Sequence, residues 1–263
     1  MNLENLTQHV CELAIETGEY IRKERAQFNS NAVEEKSTNS LVSYVDKTAE
    51  IKIIEKLSKL LPEAGFIAEE GTNTKRGANY NWIIDPLDGT TNFIHGIPCY
   101  AVSIGLMRDH EMVSGVIYEA NMKECFFAWK NGGAFLNNKA IKVSKSSLLK
   151  DSLLATGFPY YNYGKLDQYL DLFKYLLKHC RGVRRPGSAA TDMAYVAAGR
   201  FDGFYEYSLQ PWDVAAGIVL INEAGGKICD FKGGDNYLFG EEIITSNSIV
   251  FNELKDLVLK YMK

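Results

Sequence analysis

Residues 101–129 contain three strand-like apolar runs, Ala101 to Leu106, Val113 to Tyr118 and Glu124 to Trp129, interrupted by Arg108-Asp109-His110 and Asn121-Met122-Lys123. Connections that short cannot carry a crossover, so these strands must fold back on one another as antiparallel hairpins. Helical spacing precedes them. Leu3, Leu6, Val10, Leu13, Ala14 and Ile21 recur mostly every three or four residues, which predicts a long amphipathic helix lying on a sheet. A loop or short hairpin is expected over 27–43. A second helix is expected from Val45 to Leu60, stopped at Leu61-Pro62 because the residue before proline disfavours helical backbone.

Short buried strands are predicted at Phe66 to Ala68 and Asn81 to Ile84. Beyond the hairpins, strands are expected at Ser152 to Gly157, Asp202 to Tyr207, Lys227 to Asp230 and Ile243 to Thr245. Helices are expected at Leu166 to Lys178, from Gly187 to about Ala198, at Trp212 to Ala224 and at Val250 to Met262. Helices alternating with mixed sheets predict an α/β layered fold. The chain reads as one unit over 1–263 with approximate halves 1–145 and 146–263, joined near 137–151 where Asn, Lys and Ser cluster.

With 263 residues, 46% of them hydrophobic, the chain can bury a substantial core, which excludes disorder. A net charge of −4 supplies no global field to attract nucleic acid or anionic lipid. The start Met1-Asn2-Leu3-Glu4 lacks the basic and apolar pattern of a leader, and no apolar run is long enough to span a bilayer, so a cytoplasmic protein with no membrane partner is expected. The cysteines at 11, 99, 125, 180 and 229 form no close pair, which predicts buried reduced thiols rather than disulfides or a zinc site.

The chemistry concentrates behind the strand at 81–84. Asp85 and Asp88 sit just past its carboxyl end, where ligand sites in open α/β sheets tend to lie. Carboxylates of this kind suit magnesium, which takes hard oxygen ligands together with substrate phosphate oxygens. Gly89-Thr90-Thr91-Asn92 follows at once and can open a helix with free N–H groups facing an anion. The same residues also suit an ordinary Asx-type turn. Glu69-Glu70, behind the strand at 66–68, is either a third contributor to that edge or a solvated acidic pair. Asp213 supplies a further acid or serves as an N-cap.

Three segments together resemble the inositol monophosphatase family of lithium-sensitive, magnesium-dependent phosphatases. They are Glu69-Glu70, the run Trp82-Ile83-Ile84-Asp85-Pro86-Leu87-Asp88-Gly89-Thr90-Thr91-Asn92-Phe93, and Pro211-Trp212-Asp213-Val214-Ala215-Ala216-Gly217. Arg184 to Ala190 and Ala197 to Gly203 resemble bacterial members. The resemblance spans the whole chain and implies an αβαβα sandwich of the inositol monophosphatase and fructose-1,6-bisphosphatase type, two or three Mg2+ ions and a homodimer. It implies that Glu69, Asp85, Asp88, Asp213 and the Leu87 carbonyl ligate metal. Thr90, partnered by Asp46, and Glu69 act on the attacking water, and Lys36 lies near the metals. Leu87, Asp88, Gly89, Thr90, Gly187, Ser188, Ala189, Glu206 and Asp213 border the substrate.

The implied activity is hydrolysis of inositol monophosphate or another small phosphorylated polyol, by in-line attack of water. Fructose-1,6-bisphosphatase activity, nucleotide 3′-phosphatase activity and a non-enzymatic, transcription-associated role are the alternatives. The two-residue gap between Asp85 and Asp88 separates this pattern from the Asp-x-Asp phosphatases that form a phosphoaspartate. His95 is expected to be packed or at the surface, Arg184-Arg185 solvated or paired with acids, and Tyr160, Tyr161 and Tyr163 to cover the substrate mouth.

Overall fold

A computed structural model describes residues 1–28, 33–37, 40–160 and 162–263, without side-chain detail over 33–37 and 40–42. Helix α1 (Leu3–Ala26) is capped by the Asn2 side chain, which accepts from the Asn5 N–H. The strands β1 (Val33–Ser37) and β2 (Ser40–Ser43) pair antiparallel and lead into α2 (Tyr44–Leu60). Seven strands then form one sheet: β3 (Gly65–Ala68), β4 (Tyr80–Asp88), β5 (Ala101–Arg108), β6 (Glu111–Glu119), β7 (Glu124–Trp129), β8 (Gly133–Leu136) and β9 (Lys139–Ile141). They lie in sequence order, β3 and β4 parallel and the others antiparallel, as the short connections required. A short helix α3 (Thr90–His95) sits between β4 and β5.

The second sheet uses β10 (Leu153–Thr156), β11 (Gly182–Arg184), β12 (Gly203–Tyr207), β13 (Gly226–Cys229) and β14 (Glu242–Asn247), in the spatial order β11-β10-β12-β14-β13. The helices interleaved with it are α4 (Leu166–His179), α5 (Ala189–Ala197), α6 (Pro211–Glu223) and α7 (Phe251–Tyr261). Helices α1 and α2 cover the outer face of the seven-stranded sheet, α5 and α6 lie between the sheets, and α4 and α7 cover the far side. The five layers are helix, sheet, helix, sheet, helix.

Each interlayer has its own apolar core. Val10, Ala14 and Ile21 of α1 meet Trp82 and Val102 in the first, and Met193 and Leu220 anchor the middle one. Leu172, Leu176 and Leu254 fill the third. Helix α6 approaches the large sheet to backbone contact: a Cβ on Gly115 would lie 2.4 Å from the Ala216 carbonyl oxygen. Glycine is required there by space alone.

Three features differ from the sequence reading. Strand β4 continues through Pro86 to Asp88, so the two aspartates belong to the strand rather than following it. The missing proline N–H is tolerated because the register against β5 shifts between Asp85 and Asp88, a bulge that re-aims both side chains. The region read as a join opens with the turn Asn137-Asn138, at φ 46° and 65°, and carries β9, which pairs back on β8; this two-residue hairpin lacks the glycine that usually marks one. Strand β11 was not anticipated, being only three residues long. Among the described residues no helix is long and apolar enough to cross a membrane. All five cysteines are free, and Cys11, Cys125 and Cys229 are buried.

Candidate metal centre

The bulge in β4 places Asp85 and Asp88 at one end of the large sheet, and the first turn of α6 brings Asp213 to them. One carboxylate oxygen from each lies within 4.8 Å of the others. Local hydrogen bonds fix every member. The Leu87 N–H donates to Asp85 Oδ1 at 2.9 Å, an Asx turn inside the bulge. Asp88 Oδ2 accepts from the Ser188 hydroxyl at 2.6 Å and from the Ala190 N–H at 2.7 Å, which ties the strand end to the start of α5. Asp213 is the third residue of α6 rather than its cap, and its Oδ2 accepts from the Gln210 N–H at 2.7 Å. Ser103 on β5 donates to the Trp212 carbonyl at 3.2 Å, so the helix start is tied to the sheet.

A cavity of about 110 Å³, open to solvent, surrounds this trio. Glu69, Leu87, Gly89, Thr90, Gly187, Ser188, Ala189 and Glu206 all line it with the three aspartates. Glu69 faces the same space but stands outside the group of three. Asp46 does not line the cavity. It is reached through Thr90, whose hydroxyl lies 3.1 Å from Asp46 Oδ1 and 3.0 Å from the Leu87 carbonyl oxygen. Glu50, fully buried on α2, accepts from the Glu70 N–H at 2.7 Å, the Thr72 N–H at 2.8 Å and the Thr72 hydroxyl at 2.7 Å, pinning the turn that follows Glu69.

Gly89 is the left-handed cap of α3 at φ 93°, where a Cβ would come within 2.9 Å of the Cys99 carbonyl oxygen. Asn92 donates to the carbonyls of Cys99 (2.8 Å) and Pro186 (2.9 Å), holding the loop before α5 against α3. The side chain of Lys36 and all of Tyr161 lie outside the described residues.

The electrostatics follow from acid crowding. Burial, then the charges of Glu69, Asp88 and Asp213, pushes Asp85 well above the usual carboxylate range. Asp213 is raised by burial and then by Asp88. Asp88 rises to about 6 through burial, held back by the Ser188 hydroxyl and the Ala190 N–H. Glu206 rises to about 8, again through burial, with Arg185 opposing the shift. Burial also raises Asp46, while its hydrogen bonds from Ser43 and Thr90 oppose the rise.

Carboxylates and one main-chain carbonyl make a wholly oxygen donor set, and no histidine or cysteine among the described residues lines the cavity. Such a set fits a hard divalent cation, whose charge would relieve the repulsion that raises these groups.

The sequence reading passed over several lining residues. Arg185, expected to be solvated or paired with acids, interacts with Glu206 and Asp192, and its guanidinium also stacks over Phe158 and Tyr160 and bonds the Tyr160 hydroxyl at the cavity edge. Asp192 and Ser208 also line the cavity. The only signal for Asp192 was its place one helical turn after Ser188. Tyr160 does reach the mouth, whereas Tyr163 is half exposed and its hydroxyl donates to the Tyr160 carbonyl. His95 is at the surface.

The profile of the inositol monophosphatase family matches residues 2–262. Over 252 residues the chain is 40% identical to an inositol-1-monophosphatase of Mesorhizobium japonicum, covering 95% of each protein. It is also 40% identical over 242 residues to a Nus factor SuhB of Pseudomonas aeruginosa, covering 90% of this chain and 89% of that one. The crystal structure of the extragenic suppressor protein suhB from Bartonella henselae superposes with a TM-score of 0.91 at 37% identity over 99% of both chains.

Proposed function

The chain belongs to the inositol monophosphatase family, and on that premise we propose that it hydrolyses a small phosphorylated polyol, inositol monophosphate or a close relative, to alcohol and inorganic phosphate with the help of Mg2+. The observation that carries this reading is the convergence of Asp85, Asp88 and Asp213 on one cavity with an all-oxygen donor set. Asp85, Asp88, Asp213 and the Leu87 carbonyl would hold one ion, and Glu69 a further one, two or three in all. When bound, these ions neutralise phosphate charge and make water acidic enough to attack at neutral pH.

The chain's own groups handle position and protons. Thr90 has one hydroxyl hydrogen and gives it to Asp46, the stronger acceptor, so its lone pairs face the cavity and take a hydrogen bond from the attacking water. That fixes the water for in-line displacement. Gly89 and Thr90 would cradle the phosphoryl group, and Gly187, Ser188, Ala189 and Glu206, which line the same cavity, would border the rest of the substrate. A cytoplasmic homodimer, with a metal-binding half over 1–145 and a second half over 146–263, completes the proposal.

A phosphate-release panel tests it: inositol 1-phosphate, fructose 1,6-bisphosphate and a nucleotide 3′-phosphate with Mg2+, with and without Li+, on the wild type and Asp213→Asn. Magnesium-dependent release that is lost in Asp213→Asn is expected, and release that survives the substitution contradicts the assignment. The relative named as a Nus factor favours a second reading, a transcription-associated interaction role, for which exposed Arg184 is a contact candidate. Co-purification with RNA polymerase without magnesium-dependent phosphate release would favour that role.

A further inference from the structure

Among the described residues, nine buried side-chain polar atoms have no hydrogen-bond partner, and three of them, Arg185 Nε, Asp192 Oδ1 and Ser208 Oγ, belong to residues lining the cavity around Asp85, Asp88 and Asp213. Buried polar groups are nearly always paired, so such a cluster calls for a ligand rather than for chance. Asp192 is 1% exposed and Ser208 7% exposed. Their neighbours are already committed: the Ser188 hydroxyl serves Asp88, and Asp213 holds the Gln210 N–H.

Ser208 adds an independent sign. Its φ is +67°, the left-handed region where glycine is the easy choice, and the next residue is pinned by the Leu209 N–H donating to the Glu241 carbonyl at 3.0 Å. The fold therefore carries a hydroxyl at a strained position and gives it no internal bond. Strain of this kind concentrates at ligand sites.

The three atoms differ in kind. Asp192 Oδ1 accepts, Arg185 Nε donates and Ser208 Oγ does both. A hydroxyl also both donates and accepts, so a polyhydroxylated alcohol can satisfy all three, whereas an alkyl or aryl group would leave them unpaired. A second phosphate fits poorly, because a phosphate dianion has no hydrogen to give the unpaired Asp192 Oδ1. We infer that Asp192, Ser208 and Arg185 form a wall that reads hydroxyl groups on the alcohol part of the substrate, selecting a neutral polyol carrying one phosphate over a simple alkyl phosphate or a bisphosphate. This deepens the phosphatase reading above and rests on it.

The test compares the wild type, Ser208→Gly and Asp192→Asn. With Mg2+, kcat/KM is measured for inositol 1-phosphate, propyl phosphate and fructose 1,6-bisphosphate, and binding of free myo-inositol is followed by ligand-observed NMR. Glycine suits φ +67°, so Ser208→Gly keeps the fold even where Asp192→Asn does not. The preference for inositol 1-phosphate over propyl phosphate is expected to fall roughly 3- to 10-fold in Ser208→Gly and roughly tenfold or more in Asp192→Asn, with weaker inositol signals in both. A preference unchanged within about twofold in both variants, with phosphate release intact, overturns the wall and leaves the phosphatase reading standing. If the wild type releases no phosphate from any ester but inositol binding still weakens in the variants, the wall stands as a polyol site and the phosphatase reading falls. No release and no inositol binding overturns both.

Discussion

The Thr90 hydroxyl and the Asp46 carboxylate lie 3.1 Å apart across 44 residues of sequence. The other Asp46 oxygen accepts the Ser43 N–H at 2.9 Å and the Ser43 hydroxyl at 2.6 Å, closing the capping box of α2. One carboxylate thus starts a helix and orients the hydroxyl proposed to hold the attacking water.

Thr90→Ala is expected to lower kcat by roughly 10²-fold while leaving the melting temperature nearly unchanged. Asp46→Ala should also lose about 1 kcal/mol of stability through the lost cap. Because both act on the same water, the double variant should lose little more kcat than Thr90→Ala alone. Steady-state kinetics and thermal melts of the three variants check this, and multiplicative losses in kcat would separate the two residues.

Stability should depend on pH and metal together. Glu206 has an ordinary value of 4.5 and rises to about 8 on folding. Below 4.5 it is protonated in both states; above that value the unfolded chain releases a proton that the folded chain keeps. The folded state therefore loses stability as pH rises toward 8, and Asp85, Asp88 and Asp213 act in the same direction. Melts from pH 5 to 8 without metal should show this decline, and Glu206→Gln should flatten it. Mg2+ at a hundredfold excess over its Kd should raise the melting temperature by roughly 5–10 °C near pH 8, and by less at pH 5, where protons compete for the same oxygens.

Glu50 touches no substrate, yet its carboxylate holds the turn after Glu69 by three hydrogen bonds. Glu50→Gln turns an amide toward N–H donors and should destabilise the chain by about 1–3 kcal/mol. It should also raise the Mg2+ concentration for half-maximal activity several-fold, with a smaller change in KM at saturating metal. A pure stability loss with unchanged metal dependence would make Glu50 a structural residue only.

Gly115→Ala tests how α6 sets the position of Asp213. The added methyl would meet the Ala216 backbone, displacing the helix at a cost of about 1–3 kcal/mol. A weaker response to Mg2+ in melting experiments should accompany that loss, although Gly115 lies on a strand of the sheet and not in the cavity lining.

Most of the layering was legible because periodicity reports burial: the spacing of Leu6, Val10 and Leu13 and the short connections between β5, β6 and β7 each allow few arrangements. What stayed hidden depended on partners distant in sequence. Pro86 suggests the end of a strand, and only the register shift against β5 shows that β4 continues. The cavity-lining residues named from the motifs were all found on one cavity, because each motif carries its own turn or helix start. Ser208 and Arg185 have no local signature, and Asp192 has only its place one helical turn after Ser188. Their meaning arises only when α5, β12 and the loop before Gly187 are brought together around the same space.

Asp88 ends a strand of the large sheet and, through Ser188 and Ala190, grips the helix that lies under the small one. The layers are therefore riveted at the spot where an ion would sit. Breathing between the sheets loosens the ion's seat first, and loading that seat should quiet amide exchange far beyond the cavity, on both sides of the sandwich.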